Sequence, residues 1–210
     1  MKKRLTRRDQ AAATRAALLE AARTVFLKAG YHGASVDAVA QEAGFTIGAV
    51  YSQFGGKAEL FLALLEQRIA ERGAQIRSLA DRRSGDGDEL ALTRQWASIL
   101  RTDLDWTLLV IEFRVHAARH PELAARFAEQ HERLLRVVTQ TVSEALGRAD
   151  PLPAARVEDF ARLLMAMGPG AALARAAEGD AFRDELLEEA AQAVAEHLLR
   201  PPIRKRKEQP

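Results

Sequence analysis

Apolar residues recur at steps of three and four almost from the start of the chain, the spacing that lines one face of an α-helix. From Ala11 onward, Leu18, Ala22, Val25, Phe26 and Ala29 form the first such stripe, and Gly30 ends it, because glycine accepts the positive φ of a helix C-terminus. Ser35 is placed to cap a second, short helix that carries Val36, Val39 and Ala40 inward and stops at Ala43-Gly44. Thr46 is placed to cap a third, which runs to Phe54 and is stopped by Gly55-Gly56. A long fourth helix is predicted from Lys57 to about Ala80, with Leu60, Phe61, Leu64, Leu65, Ile69 and Ile76 as its stripe.

Beyond a polar loop at Asp81–Asp88, Glu89–Thr102 reads as helix. Asp105–Arg119 is apolar on nearly every side (Trp106, Leu108, Leu109, Val110, Ile111, Phe113, Val115), which predicts a buried helix. His120-Pro121 breaks the chain, and Pro121 suits the first turn of a helix ending at Gly147. After a linker at Asp150–Pro153, two last helices are expected over Ala154–Ala177 and Ala181–Leu199, joined at Glu178–Asp180, with a kink at Gly168-Pro169-Gly170. Strand alternation, internal repeats and sustained heptads are all missing.

Composition narrows the class. The 210 residues are 48% hydrophobic and 29% charged, as in soluble globular proteins, and Ala, Leu, Glu and Arg favour helix throughout. With no cysteine, disulfides, thiolate zinc sites and cysteine nucleophiles are excluded, and the expected location is the cytoplasm. The longest uncharged run, Ala43–Gly56, is 14 residues, and the next, Leu163–Ala174, is 12, both short of the ~20 that span a bilayer. The opening Met-Lys-Lys-Arg is followed by no apolar stretch, so it is not read as a secretory signal.

The net charge of +2 is unevenly spread. Residues 1–57 carry nine Lys/Arg against four Asp/Glu, a net of +5; residues 58–199 carry 17 against 24, a net of −7; residues 200–210 carry five against one, a net of +4. A basic front on an acidic body suggests that the front faces a polyanion.

Ser35 to Lys57 is the segment that carries chemistry. Two short helices separated by a tight glycine turn have the make-up of a helix-turn-helix, whose second helix can enter the major groove of DNA. Thr46, Ile47, Gly48 and Ala49 stand at the N-terminus of that second helix. Small residues let the backbone approach base edges, and Ile47 and Ala49 can meet thymine methyls. Tyr51 and Ser52 offer hydroxyls on the flank where phosphates run, Gln53 can bond a base or a phosphate, and Lys57 can clamp a phosphate. Ser35 and the amides it leads form a second phosphate site. Val50 and Phe54 point back to Phe26, Val36 and Val39. A helix–glycine–helix alone could be an ordinary turn in a bundle; the basic arm at Met1–Arg8 and the charge step favour DNA.

The ordered set Gly30-Tyr31, Ser35-Val36, Ala40, Ala43-Gly44-Phe45-Thr46, Gly48-Ala49-Val50-Tyr51, Phe54 and Lys57-x-Glu59-Leu60 resembles the N-terminal signature of the tetracycline-repressor (TetR) family. The signature covers about a fifth of the chain. Gly55-Gly56 stands where the family more often has a pair such as Pro-Ser, and Ser35 stands where Thr is commoner, which keeps the hydroxyl. The resemblance implies an all-α fold: a three-helix DNA-binding head, then a larger helical ligand-binding and dimerisation domain, about nine helices in all. The corresponding division is 1–57, 58–200 and a basic tail, 201–210. It also implies a homodimer formed by the last two helices, a near-palindromic operator of double-stranded DNA, and a small-molecule effector in the middle helices whose binding releases DNA.

The body supplies candidates for the last two roles. Phe160, Leu164 and Met167, with Leu187, Ala190 and Val194, lie on Ala-rich helix faces suited to a symmetric dimer contact. Trp96, Trp106, Phe113, His116 and Met165 are large or polar groups that could line an effector cavity. Glu112, Arg114 and His116, within the apolar stretch, either serve a ligand or pair with neighbours. His116 and His120 are four apart, but Pro121 ends the helix there, so no metal is expected. Gly55-Gly56-Lys57 lacks the first glycine and the Ser/Thr of a phosphate loop, and no nucleophile elbow, paired-carboxylate site or dinucleotide fingerprint is present; an enzyme is not expected and no cofactor is assigned. The rival reading is a DNA-binding protein without a small-molecule ligand, either architectural or controlled by a protein partner.

Overall fold

Helix propensity and apolar spacing decide the architecture almost everywhere. The structure is a computed structural model that describes residues 6–81, 103–146, 153–183 and 185–199. Among these are eight α-helices and no strand: α1 (Arg7–Gly33), α2 (Val36–Ala43), α3 (Ile47–Phe54), α4 (Lys57–Asp81), α5 (Leu104–Ala118), α6 (Pro121–Leu146), α7 (Ala154–Glu178) and α8 (Glu185–Leu198). The helix expected over 89–102, the tail 201–210 and the first five residues of the arm lie outside the described residues.

Two expectations need correction. α1 begins at Arg7, inside the segment read as an arm, because Thr6 and Asp9 form a capping box: the Thr6 hydroxyl accepts from the Asp9 amide at 3.2 Å, and the Asp9 carboxylate accepts from the Thr6 amide at 2.9 Å. The Thr6 hydroxyl, donating to Asp9 Oδ2 at 2.8 Å, and then the Thr6 amide hold the Asp9 carboxyl below its usual range. α8 begins at Glu185 rather than Ala181, because Gly179–Ala181 closes into a 3-10 turn through Phe182 N–H donating to the Gly179 carbonyl at 3.1 Å. α7 runs from Ala154 to Glu178 with Pro169 inside it, close to the bounds read from the sequence.

The chain divides into two compact units. The first comprises residues 1–72 and 103–133. Its core joins Leu18, Ala22 and Phe26 of α1, Val39 and Ala40 of α2, Val50 of α3, Leu60 and Phe61 of α4, and Leu109, Phe113 and Ala117 of α5, all fully or almost fully buried. The centre of this core is aromatic. Tyr31 lies 6.0 Å from Phe26, 5.4 Å from Phe61 and 4.9 Å from Phe113, and Phe61 lies 4.4 Å from Phe113. Such ring pairs contribute about 0.5–1.5 kcal/mol each beyond the area they bury.

Tyr31 reaches this cluster because α1 breaks at Gly30, whose φ of 70° and ψ of 172° belong to a region open in practice only to glycine. The break leaves the Tyr31 amide without a helical acceptor, and Glu112 of α5 supplies one at 2.8 Å. The same carboxylate crowds Gly30: a Cβ there would stand 2.7 Å from Glu112 Oε2. Glu112 is thus paired with backbone, while Arg114 is exposed. α5 is not buried all round, as its apolar run suggested. Only the face bearing Leu109, Phe113 and Ala117 is covered, and Val115 on another side is 52% exposed.

A polar edge adjoins the cluster. The His116 ring lies 5.1 Å from Tyr31, 5.4 Å from His32 and 4.4 Å from His120. His120 Nδ1 donates to the His116 carbonyl at 2.8 Å. Desolvation, followed by the neighbouring His120, His32, Lys57 and Arg119, holds the His116 pKa below its ordinary value.

In the second unit, residues 73–102 and 134–210, Leu135, Val138 and Val142 of α6 meet Val157, Phe160, Ala161 and Leu164 of α7 and Ala191 and Ala195 of α8. Ala161 and Ala191 have no exposed surface, as expected where helices approach closely. Arg156 donates to the His197 carbonyl at 2.9 Å, joining the start of α7 to the end of α8.

Two tests follow from the first unit. Gly30→Ala is expected to lower stability by about 1–3 kcal/mol, read as a fall in the urea midpoint. Gly33→Ala, whose Cβ would meet nothing closer than Ala29 at 3.6 Å, should leave that midpoint almost unchanged; equal losses would remove the role given to Gly30. Because the folded state disfavours protonated His116, its contribution to stability is complete above the ordinary value of 6.5 and is lost as pH falls through the lower folded-state value. The thermal midpoint should therefore drop between pH 7 and pH 5, and drop less steeply in His116→Gln.

Candidate nucleic-acid interface

α2 and α3 are held at their ends by short side chains and glycines. The Ser35 hydroxyl accepts from the Ala38 amide at 3.0 Å and starts α2. Gly44, at φ 70°, ends it with the paired bonds of a Schellman motif: Gly44 N–H to the Gln41 carbonyl at 3.1 Å and Phe45 N–H to the Ala40 carbonyl at 2.9 Å. Two residues later the Thr46 hydroxyl accepts from Ala49 at 3.2 Å and starts α3. Gly55, at φ 85°, ends α3 by donating to the Tyr51 carbonyl at 2.8 Å. The result is the helix-turn-helix the sequence predicts, with an eight-residue second helix.

The two faces of α3 differ sharply. Val50 and Phe54 are buried against α1 and α2. Ile47 is 43% exposed and Tyr51 54% exposed, with Gly48 and Ser52 also exposed and Ala49 and Gln53 half-buried. The Ser52 hydroxyl donates to the Ala49 carbonyl at 3.0 Å, leaving its oxygen as an acceptor. Ser35 and Thr46 use an oxygen lone pair for capping, so each keeps an O–H to donate. Gly48 has an ordinary φ, and a Cβ there would meet only the Thr46 hydroxyl, at 3.8 Å. Nothing within the chain requires a glycine at that position.

Lys57 opens α4. Its ammonium donates to the His32 carbonyl at 3.2 Å and lies 4.7 Å from the centre of the Tyr31 ring. Partial burial lowers its pKa. It stands beside the helix-turn-helix but is drawn towards the aromatic cluster, which its place in the sequence did not reveal.

Two residues of this surface were not assigned a role from sequence. Phe45, 39% exposed in the turn, appears there only as part of a signature, because one apolar residue in a turn has no periodicity. Arg15 of α1 donates to the Gln53 carbonyl at 3.0 Å and lies 4.3 Å from the centre of the Phe54 ring. It has no local signal, since its partners lie 38 and 39 positions along the chain.

The other predicted sites disperse. Trp106, Phe113 and His116 belong to the first unit, where Phe113 is fully buried and the other two half-buried in the aromatic core. Met165 belongs to the second unit, half-buried beside its core, and Trp96 lies outside the described residues. Of the residues expected at a dimer contact, Phe160 and Leu164 are 2% and 1% exposed in their own protomer's core, and Leu187 is also buried. Side chains so enclosed have no surface to offer a second chain. Met167, Ala190 and Val194 keep part of theirs, and the neighbouring Leu163 and Leu186 are exposed. Among the described residues no group of three side chains is disposed to hold a metal, and no helix is long and apolar enough to cross a membrane.

Residues 18–64 match the family described as bacterial regulatory proteins, tetR family, and residues 91–200 match the BetI-type transcriptional repressor C-terminal family. The chain is 25% identical over 156 residues to the HTH-type transcriptional regulator UidR of Escherichia coli K12, covering 74% of this chain and 78% of UidR. A crystal structure of a transcriptional regulator from Rhodococcus sp. Rha1 superposes with a TM-score of 0.63 at 28% identity, covering 88% of this chain and 95% of that one. The transcriptional regulator FadR from Bacillus subtilis, solved in complex with stearoyl-CoA, has the same fold, with a TM-score of 0.63 at 18% identity over 87% of this chain and 96% of FadR. With both families matched in order along one chain and α3 presented as it is, the protein belongs to the TetR family and is a DNA-binding transcriptional regulator, not an enzyme.

Proposed function

We propose that the protein is a homodimeric repressor that binds a near-palindromic operator and is released from it by a small molecule. The observation that carries this reading is the outward face of α3: Ile47 and Tyr51 exposed, with Gly48 between them in open space. An aliphatic and an aromatic side chain on a two-turn helix cost solvation unless something covers them. A glycine that no internal contact requires fits a backbone approaching base edges. Ile47, Gly48, Ala49 and Gln53 read bases; Ser35, Thr46, Tyr51, Ser52 and Lys57 fix register on phosphates.

The functional division is a DNA-binding head over 1–57, an effector and dimerisation region over 58–200, and a basic tail over 201–210. One eight-residue helix reads only a few base pairs, so specificity requires two heads related by a two-fold axis. The self-contact draws on Met167, Ala190 and Val194 with the exposed Leu163 and Leu186. The repressor role is supported by the matched C-terminal family. A small-molecule effector is supported by FadR, which was solved with stearoyl-CoA. Within the first unit, Trp106, Phe113 and His116 are the residues proposed to meet the effector. Displacement of Phe113 is passed to Phe61 and Tyr31, its ring neighbours on α4 and α1, and so to Lys57 and the head. An effector acts this way only if it prefers one of the two arrangements.

The test of the reading is selection of bound sequences from random duplex DNA with the full-length protein at fixed salt. Enrichment of an inverted repeat is expected, and its absence at every salt concentration would end the proposal. With the selected duplex, Gly48→Ala should act in opposite directions on two readouts. It should raise the thermal midpoint slightly, because alanine is favoured over glycine in helices by about 0.5–1 kcal/mol, and weaken operator binding by about tenfold, or ~1.4 kcal/mol. Lys57→Ala should weaken binding to selected and unrelated duplexes alike and reduce the slope of log affinity against log salt by about 0.9; a change in sequence preference would contradict the role given to Lys57.

A further inference from the structure

The C-terminal end of α3 depends on a residue outside the helix-turn-helix. The last carbonyls of an α-helix have no partner within it and form the negative end of its dipole. In α3 the Tyr51 carbonyl is satisfied by Gly55, but the last turn contains no basic residue to meet the others. Arg15, two turns into α1, fills that place. Its Nη1 donates to the Gln53 carbonyl at 3.0 Å, and its guanidinium lies 4.3 Å from the centre of the Phe54 ring. A planar cation held over an aromatic ring while one of its N–H groups donates to a carbonyl has little freedom to turn. Thr46 holds one end of α3 and Arg15 the other. Arg15 also lies outside the 18–64 stretch matched to the family.

We propose that Arg15 is a positioning residue for sequence recognition: it sets the tilt at which α3 enters the groove, without touching DNA. An eight-residue helix packed through only Val50 and Phe54 can pivot about those two contacts. A pivot at the C-terminal end swings Ile47 and Gly48 across the base edges. Base readout tolerates misplacement poorly because its bonds are short and directional, whereas phosphate attraction is long-ranged and tolerates it well. Losing the Arg15 clamp therefore costs discrimination before it costs general DNA affinity.

This proposal rests on the reading of α3 as the DNA-reading helix, and the experiment separates the two. Wild-type protein, Arg15→Met and Arg15→Lys are each put through selection from the same random duplex pool. Affinities for the wild-type consensus and for an unrelated duplex are then measured across a salt series, with thermal melts in parallel. Methionine keeps the apolar stem over Phe54 and removes the cation and the fork. Arg15→Met is expected to give a degraded consensus and about tenfold weaker binding to the wild-type sequence, the equivalent of ~1.4 kcal/mol. Its affinity for unrelated duplex and its salt slope should stay as in the wild type. Arg15→Lys, which keeps a charged donor, should recover part of the lost discrimination. A salt slope reduced by about 0.9 with equal losses on both duplexes would make Arg15 a phosphate contact and overturn the proposal. So would a lower melting temperature with an unchanged consensus, which would leave Arg15 a purely structural residue. If the wild type itself enriches no sequence, the reading of α3 fails and the proposal fails with it.

Discussion

The break in α1 at Gly30 organises the first unit. A helix that continued through this position would carry Tyr31 past the core. Instead the positive φ turns Tyr31 into it, and the exposed amide that results is met by Glu112 from a helix 81 positions further along the chain. Neither element is sufficient alone. A buried amide without an acceptor costs about 1–3 kcal/mol, and Glu112 supplies that acceptor at 2.8 Å. The rings of Phe26, Phe61 and Phe113 pack against Tyr31 itself. The position of α1, and therefore of the helix-turn-helix packed on it, is defined against α5 by a contact that only this backbone conformation permits.

The helix-turn-helix works by a different economy. α2 and α3 are each eight residues long, too short to persist alone in water. Their order comes from hydroxyl caps at one end, left-handed glycines at the other, and a few buried side chains between. That arrangement leaves almost the whole outer face of α3 outside the internal packing. The same shortness makes the face sensitive to its supports, because few contacts resist rotation. Lys57 illustrates the point from the other side. Its bond to the His32 carbonyl and its place over the Tyr31 ring connect the start of α4 to the end of α1, so the residue expected at a phosphate is also part of the head's attachment.

Much of this was legible in the sequence. The all-helical class, the bounds of α2, α3, α4 and α6 and the inward turn of Val50 and Phe54 follow from apolar spacing and from Ser, Thr and Gly at the helix ends, which are local signals. The contacts made at long range were not legible. Glu112 read as a charge in an apolar helix, because nothing near it announces a broken helix 81 positions upstream. Arg15 read as one arginine among several, since its acceptor is a backbone carbonyl, and carbonyls look alike in any sequence. Phe160 and Leu164 were expected at a contact between two copies and are buried within the single chain, because an apolar stripe shows that a face is covered without saying by what. The start of α1 was missed for a humbler reason: a Thr-x-x-Asp cap was hidden in a run of arginines.

The shared aromatic cluster also limits how this head could be exchanged between proteins. Residues 1–57 contain the helix-turn-helix and its caps, yet the core beneath them is completed by Phe61 and Phe113, and the Tyr31 amide by Glu112. A graft cut at residue 57 would carry Tyr31 and its unsatisfied amide onto a foreign body with no matching rings or carboxylate. The outer face of α3, where no neighbour crowds Gly48, can change without disturbing that core.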